Sequence, residues 1–313
     1  IFVYGAPDIP HQTERELFKL LSQSHESLIA VHLSPYGLSG PYSELAGCEL
    51  TANALSGITQ RIGAPDREPL TLPLAQAAYQ AGYAAACGAA CGLIARMDSV
   101  QGQVVEVSET EAIATVHAGY SVTRYQTAGI EEERAGNRMA LLPYPQTVLP
   151  CADGFVALNT PEGRQWGRLL ELMGSPAWGK DERYRSRIKN SLPPRVDELD
   201  KYFKDWLKDY SKEQFYTLCR ENKIPSGPVR TVDEVSIDEQ LQSRNFFNTI
   251  IFPDGDQIKV PGSGCKLSKT PARRNLSVPL LGESGSHVSN KKPPKTQPGT
   301  PGAPLNKGPL EGI

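Results

Sequence analysis

The sequence predicts an α/β fold with a parallel sheet, followed along the chain by a smaller α+β region. Apolar strand-like runs alternate with helical patterns in the first part, at 1–4, 12–22, 28–33, 49–55, 74–96 and 103–107. Strand, helix, strand is the order that builds a parallel sheet. Directly after the second strand, Pro35, Gly37 and Gly40 interrupt the chain, and α/β proteins tend to place ligand loops at that position.

The predicted helix at 74–96 consists almost wholly of small residues. Gly82, Gly88 and Gly92 would each destabilise it by up to about 1 kcal/mol relative to alanine. We therefore expect another backbone to approach this helix closely. The strand that follows leads into Ser108, which with Glu111 forms the capping box of the next helix.

After about residue 140 the pattern predicts helices and one hairpin rather than a parallel sheet. Thr160 and Pro161 are typical of the N-cap and first residue of a helix. Strand-like runs at 249–252 and 257–260 flank an Asp-Gly turn. One helical stripe is apolar and consists of Val196, Leu199, Phe203, Trp206, Leu207 and Tyr210. Two further capping boxes are Ser211 with Gln214 and Thr231 with Glu234.

These patterns divide the chain into segments. We predict a large domain at 1–135, a small α+β domain at 136–265 and a segment at 266–288 that returns to the large domain. A Lys/Pro-rich linker at 289–308 follows. The last residues, 309–313, read as the start of a second unit.

Composition excludes several classes of partner. The 313 residues carry 33 Lys and Arg against 35 Asp and Glu. This balance offers no basis for binding nucleic acid or an anionic membrane. The longest apolar runs fall short of the roughly 20 residues that a membrane span needs. Six scattered cysteines without a C-x-x-C pair are typical of reduced thiols, so we expect a cytoplasmic protein.

Residue types alone do not define a reaction. The five histidines are isolated in sequence, which argues against a metal site. Cys87 and Cys91 lie four residues apart and read as small packing residues. The loop at 36–40 lacks the lysine of a P-loop, and the serines near it lack the G-x-S-x-G pattern of a nucleophile. Three acids, Glu106, Glu109 and Glu111, read as strand-end and cap residues rather than as an acid pair.

Eight sequence blocks, however, resemble the family III CoA-transferases in their order along the chain. They are 40–42 (GPY), 47–49 (GCE), 54–57 (ALSG), 102–108 (GQVVEVS), 224–229 (IPSGPV), 244–247 (RNFF), 267–271 (LSKTP) and 279–283 (PLLGE). Each block is short, but this many in order over nearly all of residues 1–290 are specific to the family.

The resemblance implies a Rossmann-like large domain whose N-terminal part would precede this sequence. It also implies a smaller α+β domain and the interlocked dimer of the family. Substrates would be CoA thioesters and small carboxylates, without a tightly bound cofactor or a metal. The residues that the resemblance places against CoA are Gly37, Gly40, Tyr42, Ser56 and Gly57.

One chemically decisive residue of the family is absent. Family enzymes attack acyl-CoA with an aspartate at the head of the small-residue helix, forming a mixed anhydride and then an aspartyl-CoA thioester. The matching position here is Ala78, whose methyl group cannot attack a thioester. The racemase branch of the family uses a histidine where this chain has Cys48. Glu49 is the nearest acid that could substitute.

The resemblance suggests why the aspartate is missing. The final residues, 309–313, look like the opening of another family III unit after a linker. This arrangement is typical of tandem members such as the dimethylsulfoniopropionate CoA-transferase/lyase. We therefore expect a degenerate first half, inactive by itself. Its partner would be a second CoA-transferase unit in the same polypeptide or a sister subunit, and the protein would form a homo-oligomer.

Two alternatives stay open at this point. The chain could be a non-catalytic partner that binds CoA or only a sister subunit. It could also be active through a substitute acid, with Glu49 as the candidate.

Overall fold

The computed structural model describes residues 1–5, 11–139, 142–272, 276–278 and 280. The chain divides into two compact units, Ile1–Val229 and Arg230–Ile313, and each is described by itself. The predicted linker at 289–308 and the predicted restart at 309–313 lie outside the described residues, as does most of the block at 279–283. The predicted domain boundaries stay predictions.

The first unit begins with the predicted parallel sheet. Its described strands are β1 (Phe2–Tyr4), β2 (Ile29–Ser34) and β3 (Gln103–Ser108), in that spatial order. Phe2 pairs with Ala30, and Ile29 pairs with Gln103. The helices around this sheet are α1 (His11–Ser24), α2 (Glu49–Leu55), α3 (Gln76–Ser99), α4 (Glu109–Ile113) and α5 (Gly119–Ala128).

The two faces of β2 meet different helices because its side chains alternate. On one face, Ile29 and Val31 pack against α3. On the other, the buried His32 ring lies edge-on to Phe18 of α1, and its Nε2 is 3.1 Å from a carboxylate oxygen of Glu14. The sheet is therefore covered on both faces, as parallel sheets require.

Helix α3 packs on the sheet through its smallest residues. Its buried stripe consists of Ala77, Ala81, Ala85, Ala89 and Gly92. A Cβ at Gly88 would lie 2.6 Å from Cγ1 of Val105, and one at Gly92 would lie 3.1 Å from Cγ2 of Ile29. These close neighbours are side chains of the sheet rather than the expected backbone. Gly82 lies on the opposite, open side, where a Cβ would meet nothing described within 4 Å.

A second, antiparallel sheet was not predicted from the sequence. Its described strands are β4 (Gln146–Cys151), β5 (Gly154–Asn159) and β6 (Ser226–Pro228). A tight turn joins β4 to β5, since Cys151 pairs with Gly154. The helices of this region are α6 (Gly163–Leu172), α7 (Arg195–Leu207) and α8 (Lys212–Glu221). The core contains Leu149, Val156, Leu158, Leu169, Leu199, Phe203, Leu207 and Phe215.

Asp200 of α7 anchors the chain that leads into β4. Arg138 donates to one of its carboxylate oxygens through Nε (3.0 Å) and Nη2 (2.7 Å). The Tyr144 hydroxyl donates to the other at 2.8 Å. Burial, reinforced by the charge of Asp200, raises the pKa of Tyr144 well above its usual value.

The helix starts test the sequence predictions one by one. Ser211 with Gln214 forms the predicted capping box. Ser108 accepts a hydrogen bond from Glu111 N–H, which is the first half of the capping box predicted there. The predicted cap at Thr160 is wrong. Helix α6 begins at Gly163 with Glu162 as its N-cap, because the Thr160 hydroxyl accepts a hydrogen bond from Arg187 instead.

The second unit contains the predicted hairpin. Strands β7 (Phe247–Ile251) and β8 (Gln257–Pro261) pair antiparallel, and β9 (Leu276–Ser277) pairs parallel with β7. Helices α9 (Val232–Ser236) and α10 (Glu239–Ser243) precede the hairpin. The predicted capping box of Thr231 with Glu234 is present at the start of α9. Within the described ranges, none of the helices combines the length and apolar character that crossing a membrane needs.

Two glycines of α3 allow a matched stability test. Gly82→Ala should stabilise the chain by up to about 1 kcal/mol, because alanine favours the helix and the added methyl group meets open space. Gly88→Ala should destabilise it by about 1–3 kcal/mol, because the methyl group overlaps the stiff, β-branched Val105. Urea unfolding measures both. Equal effects of the two substitutions would contradict the packing of α3 on the sheet.

Candidate active site

The candidate site lies at the carboxyl edge of the parallel sheet. Strand β2 runs there into the glycine loop, and β3 runs into α4. Helices α2 and α3 begin close to each other, because Glu49 at the start of α2 accepts a hydrogen bond from the first turn of α3. Ligands of open α/β sheets bind at this edge, which makes it the place to examine for chemistry.

The glycine loop is held by three side chains. Gly37 N–H donates to Ser34 Oγ at 2.9 Å, and Leu38 N–H donates to Glu106 Oε1 at 2.5 Å. Arg15 Nη1 donates to the Leu38 carbonyl at 2.6 Å. Sequence reasoning missed Arg15 and read Glu106 only as a strand-end residue. The alternation of side chains along β3 could predict on which face of the sheet Glu106 lies. It could not predict that Glu106 accepts a hydrogen bond from the glycine loop.

The predicted CoA contacts fall into two groups in the structure. Gly37 and Gly40, both with φ +88°, share the loop with the half-exposed Tyr42. Ser56 and Gly57 lie at the far end of α2. The Ser56 hydroxyl is buried and donates to the Asn53 carbonyl at 2.8 Å. Contact of these five residues with CoA stays a prediction.

Glu49 binds the start of α3 with both carboxylate oxygens. Oε1 accepts from Ala77 N–H at 2.7 Å, and Oε2 accepts from Ala78 N–H at 3.1 Å. Asn53 Nδ2 also donates to Oε1, at 2.8 Å. A helix N-terminus attracts negative charge and leaves its first N–H groups unpaired. Glu49 therefore caps α3 from the neighbouring helix, while the side chain of Ala78 itself is exposed.

A second acid, Glu109, lies in the first turn of α4. Ile113 of α4 packs with Ala52 of α2 and Ala77 of α3. Glu109 precedes Ile113 by four residues, so the two lie on one face of the helix. Burial, and next the negative charge of Glu49, raise the pKa of the Glu109 carboxyl. The charge of Glu49 thus acts on Glu109, and sequence reasoning did not identify this electrostatic coupling.

The thiol of Cys48 is the third reactive group at this edge. It is exposed, at the N-cap of α2. Hydrogen bonds with the backbone of Thr51 and Leu50 lower its pKa. Among the described residues, His, Cys, Asp and Glu side chains nowhere gather in a group of three or more that could hold a metal ion.

Comparison with known proteins gives concordant matches. The family model described as CoA-transferase family III matches residues 18–285. Succinate–glutarate CoA-transferase of Agrobacterium fabrum is 28% identical over 271 residues, which cover 87% of this chain and 67% of that protein. The succinyl-CoA–L-malate CoA-transferase alpha subunit of Chloroflexus aurantiacus is 27% identical over 266 residues, which cover 83% and 61% respectively. The chain thus spans about two thirds or less of the length of these relatives.

A solved structure shows the same fold. The crystal structure of a CAIB/BAIF family protein from Brucella suis superposes with a TM-score of 0.73 at 22% sequence identity. The match covers 92% of this chain and 74% of that one. The α/β fold with its parallel sheet is confirmed.

Burial of Glu109 predicts a pH-dependent stability. Because the folded chain binds the proton of Glu109 more tightly than the unfolded chain does, its contribution to stability is present below the ordinary carboxyl pKa of about 4.3 and is lost as the pH rises through the raised value. Glu109→Gln should therefore raise the melting temperature at pH 7 and change it little below about pH 4.

Thermal unfolding at the two pH values measures this effect. Glu111→Gln is the matched control, because Glu111 lies in the same first turn of α4 but is exposed. Glu111→Gln removes a charge of the same sign and size, but that charge is exposed to solvent and not buried. A gain at pH 7 from both variants, or from neither, would contradict the environment assigned to Glu109.

Proposed function

Because the chain belongs to CoA-transferase family III, we propose that it is part of an enzyme that transfers CoA from a CoA thioester to a small carboxylate. In this proposal the chain contributes a half that lacks the aspartate nucleophile of the family. The start of α3 is the observation that carries the proposal. Ala78, the residue that we assign to the nucleophile position, lies there, and its backbone N–H donates to Glu49.

The relatives suggest the class of substrate. The Agrobacterium protein is named for succinate and glutarate, and the Chloroflexus protein for succinyl-CoA and malate. All of these acids are short dicarboxylates. We therefore propose a short dicarboxylyl-CoA as donor and a short dicarboxylate as acceptor, used in the cytoplasm, in keeping with six free cysteines.

A second CoA-transferase unit is the proposed partner, either in the same polypeptide or as a sister subunit in an oligomer. Helix α3 is apolar on both sides, and such a helix is normally buried all round. Its outer side exposes Tyr79, Tyr83, Ile94 and Met97, with Gly82 among them. We define these five residues as the outer face of α3. The name of the Chloroflexus relative, an alpha subunit, supports an assembly of this kind.

The hydrogen bonds of Glu49 argue against the alternative in which Glu49 is the nucleophile, and they favour the alternative in which the chain is a non-catalytic partner. Its two carboxylate oxygens already accept three N–H bonds. Hydrogen bonding stabilises the charged form of a carboxylate, which reduces its tendency to attack a thioester. A partner that binds CoA without reacting is the second candidate function.

A transfer assay tests the main proposal. The full-length protein would be incubated with succinyl-CoA and, in turn, glutarate, malate and other short dicarboxylates. We expect the CoA thioester of the acceptor as product, detected by liquid chromatography. CoA binding without transfer to any acceptor would favour the second candidate function.

Gly40 tests whether the glycine loop contacts CoA. Gly40→Ala should weaken CoA binding about tenfold, which corresponds to about 1.4 kcal/mol, because the new methyl group strains a positive φ and projects into open space at the loop. Gly129→Ala is the control: Gly129 also has a positive φ and open surroundings, but it ends α5. Calorimetry with CoA measures the affinity of both variants. An unchanged affinity of Gly40→Ala would contradict the proposed contact between the glycine loop and CoA.

The outer face of α3 predicts how assembly can be disrupted. Tyr83→Glu places a charge on this face, where Tyr83 is 70% exposed, and should weaken association at least tenfold, or about 1.4 kcal/mol. Val232→Glu is the control, on a residue 88% exposed in the second unit. Sedimentation velocity measures the assembly. An unchanged Tyr83→Glu assembly would place the interface elsewhere.

A further inference from the structure

We propose that Arg134 is a positioning residue for CoA binding, because its guanidinium group holds the loop between α2 and α3 in place. This loop lies between Leu55 and Gln76, and we call residues 56–75 the α2–α3 loop. The inference rests on the proposed function, since it concerns the CoA thioester that the site would bind. Arg134 is not among the residues predicted to contact CoA, and in this inference it acts through the loop.

Arg134 donates to three backbone carbonyls of the α2–α3 loop. Nη1 donates to Gln60 at 3.2 Å, Nε donates to Ala64 at 3.2 Å, and Nη2 donates to Arg67 at 3.0 Å. A guanidinium group presents its N–H groups in a rigid, planar fork, so these bonds fix the three carbonyls relative to one another. A lysine cannot reproduce the set, because all of its donors lie on one nitrogen.

The neighbours of Arg134 in the sequence also bind this loop. Gly136 N–H donates to the Gly63 carbonyl at 3.0 Å. A Cβ at Gly63 would lie 3.6 Å from Cδ of Arg134, so the loop backbone packs directly against the arginine side chain. The Glu132 carboxylate, only 9% exposed, forms an ion pair with Arg61 at 2.5 Å. The loop is therefore bound by side chains and by backbone of one short stretch of the chain.

This stretch is itself anchored at both ends. At its start, the Glu132 carboxylate accepts hydrogen bonds from Ser121 Oγ (2.7 Å) and Arg124 Nη1 (2.8 Å) of α5. At its end, Arg138 binds Asp200 of α7. The chain between these anchors forms neither helix nor strand before the bridge at Arg138. The position of the loop-binding arginine therefore depends on contacts with two helices and not on a helix or strand of its own.

The α2–α3 loop connects two parts of the candidate site. It begins with Ser56 and Gly57, two of the predicted CoA contacts. Further along, Ile62 and Leu72 pack against the buried cluster that contains Ala77, in the first turn of α3. Binding residues on loops depend on a rigid scaffold for their position. An ordered loop also binds a ligand more tightly than a mobile one, because less conformational entropy is lost on binding.

Calorimetry with CoA tests the assignment on the full-length protein, well below its melting temperature. We expect Arg134→Ala to weaken CoA binding about tenfold and Arg134→Lys to restore only part of the affinity. A low, non-denaturing concentration of guanidinium chloride should also restore part of the affinity of Arg134→Ala, because the free cation fits the space that the side chain leaves. Arg185→Ala is the control, since Arg185 is 81% exposed and pairs with Glu182 at the surface.

Hydrogen exchange measures the loop independently of CoA. The Leu70 N–H donates to the Ile62 carbonyl at 2.9 Å within the α2–α3 loop. Exchange of such an amide reports local opening. Arg134→Ala should therefore speed the exchange of the Leu70 amide, and Arg185→Ala should leave it unchanged.

The outcomes separate this inference from the proposed function. Faster exchange or a lower melting temperature in Arg134→Ala, with CoA affinity unchanged, would mean a structural role alone and would overturn the inference while leaving the proposed function standing. Weaker CoA binding by Arg134→Ala, in a protein that transfers CoA to no carboxylate, would support the positioning role and reject the transferase proposal. A full-length wild-type protein that binds no CoA would reject both.

Discussion

The close contact between α3 and the parallel sheet determines where everything else at the sheet edge lies. A long helix can pack this closely against β2 and β3 only because the residues of its buried stripe are alanine and glycine. Leucine or valine at Ala81 or Ala85 would push the helix outward, since close-packed interiors do not absorb extra methyl groups. The contact fixes the first turn of α3 beside the ends of β2 and β3. It also leaves the opposite side of the helix apolar and open.

The position of that first turn explains the unusual chemistry of the site. The helix start attracts anions, and Glu49 of the neighbouring α2 binds two of its N–H groups. Glu49 satisfies the N–H groups, while Glu109 remains half-buried next to an equal charge. Burial and the charge of Glu49 raise the pKa of Glu109, and perturbed pKa values are common at functional sites. Ala78 itself carries no carboxylate, but Glu49 binds its backbone N–H and supplies one at the first turn of α3.

The sequence predicts the parallel sheet and its helices well because their signals are local. Apolar runs, capping boxes and the glycine loop each depend on a few neighbouring residues, and the boundaries of α2 agree with prediction. The strands β4 and β5 were missed because the cue for their turn, an Asp-Gly pair at Asp153, was not recognised as a hairpin turn. The Thr160 cap failed for a different reason. Its hydroxyl bonds to Arg187, a distant partner that local pattern cannot show.

The residues of the candidate site likewise divide into those with a local sequence signal and those whose contacts are distant in sequence. The assignment of Ala78 to the nucleophile position comes from counting along a motif, so it rests on the sequence alone and stays a prediction. The contact of Glu106 with Leu38 joins residues 68 positions apart, and the electrostatic coupling of Glu49 with Glu109 acts between two helices, α2 and α4. These contacts depend on how α2, α3 and α4 pack. In sequence, a strand-end acid looks the same as an acid that binds a neighbouring loop or helix until that packing is known.

The two thiols on α3 have a practical consequence for the isolated chain. Cys87 and Cys91 are both exposed and lie one helical turn apart. Their Cβ atoms, like those of any such helical pair, are about 5–6 Å apart, whereas a disulfide needs about 3.8 Å. They cannot close a bond with each other without unwinding the helix. A disulfide at either thiol would therefore need a partner other than its neighbour on α3, so a fresh reductant belongs in every buffer in which the size of the purified chain is measured.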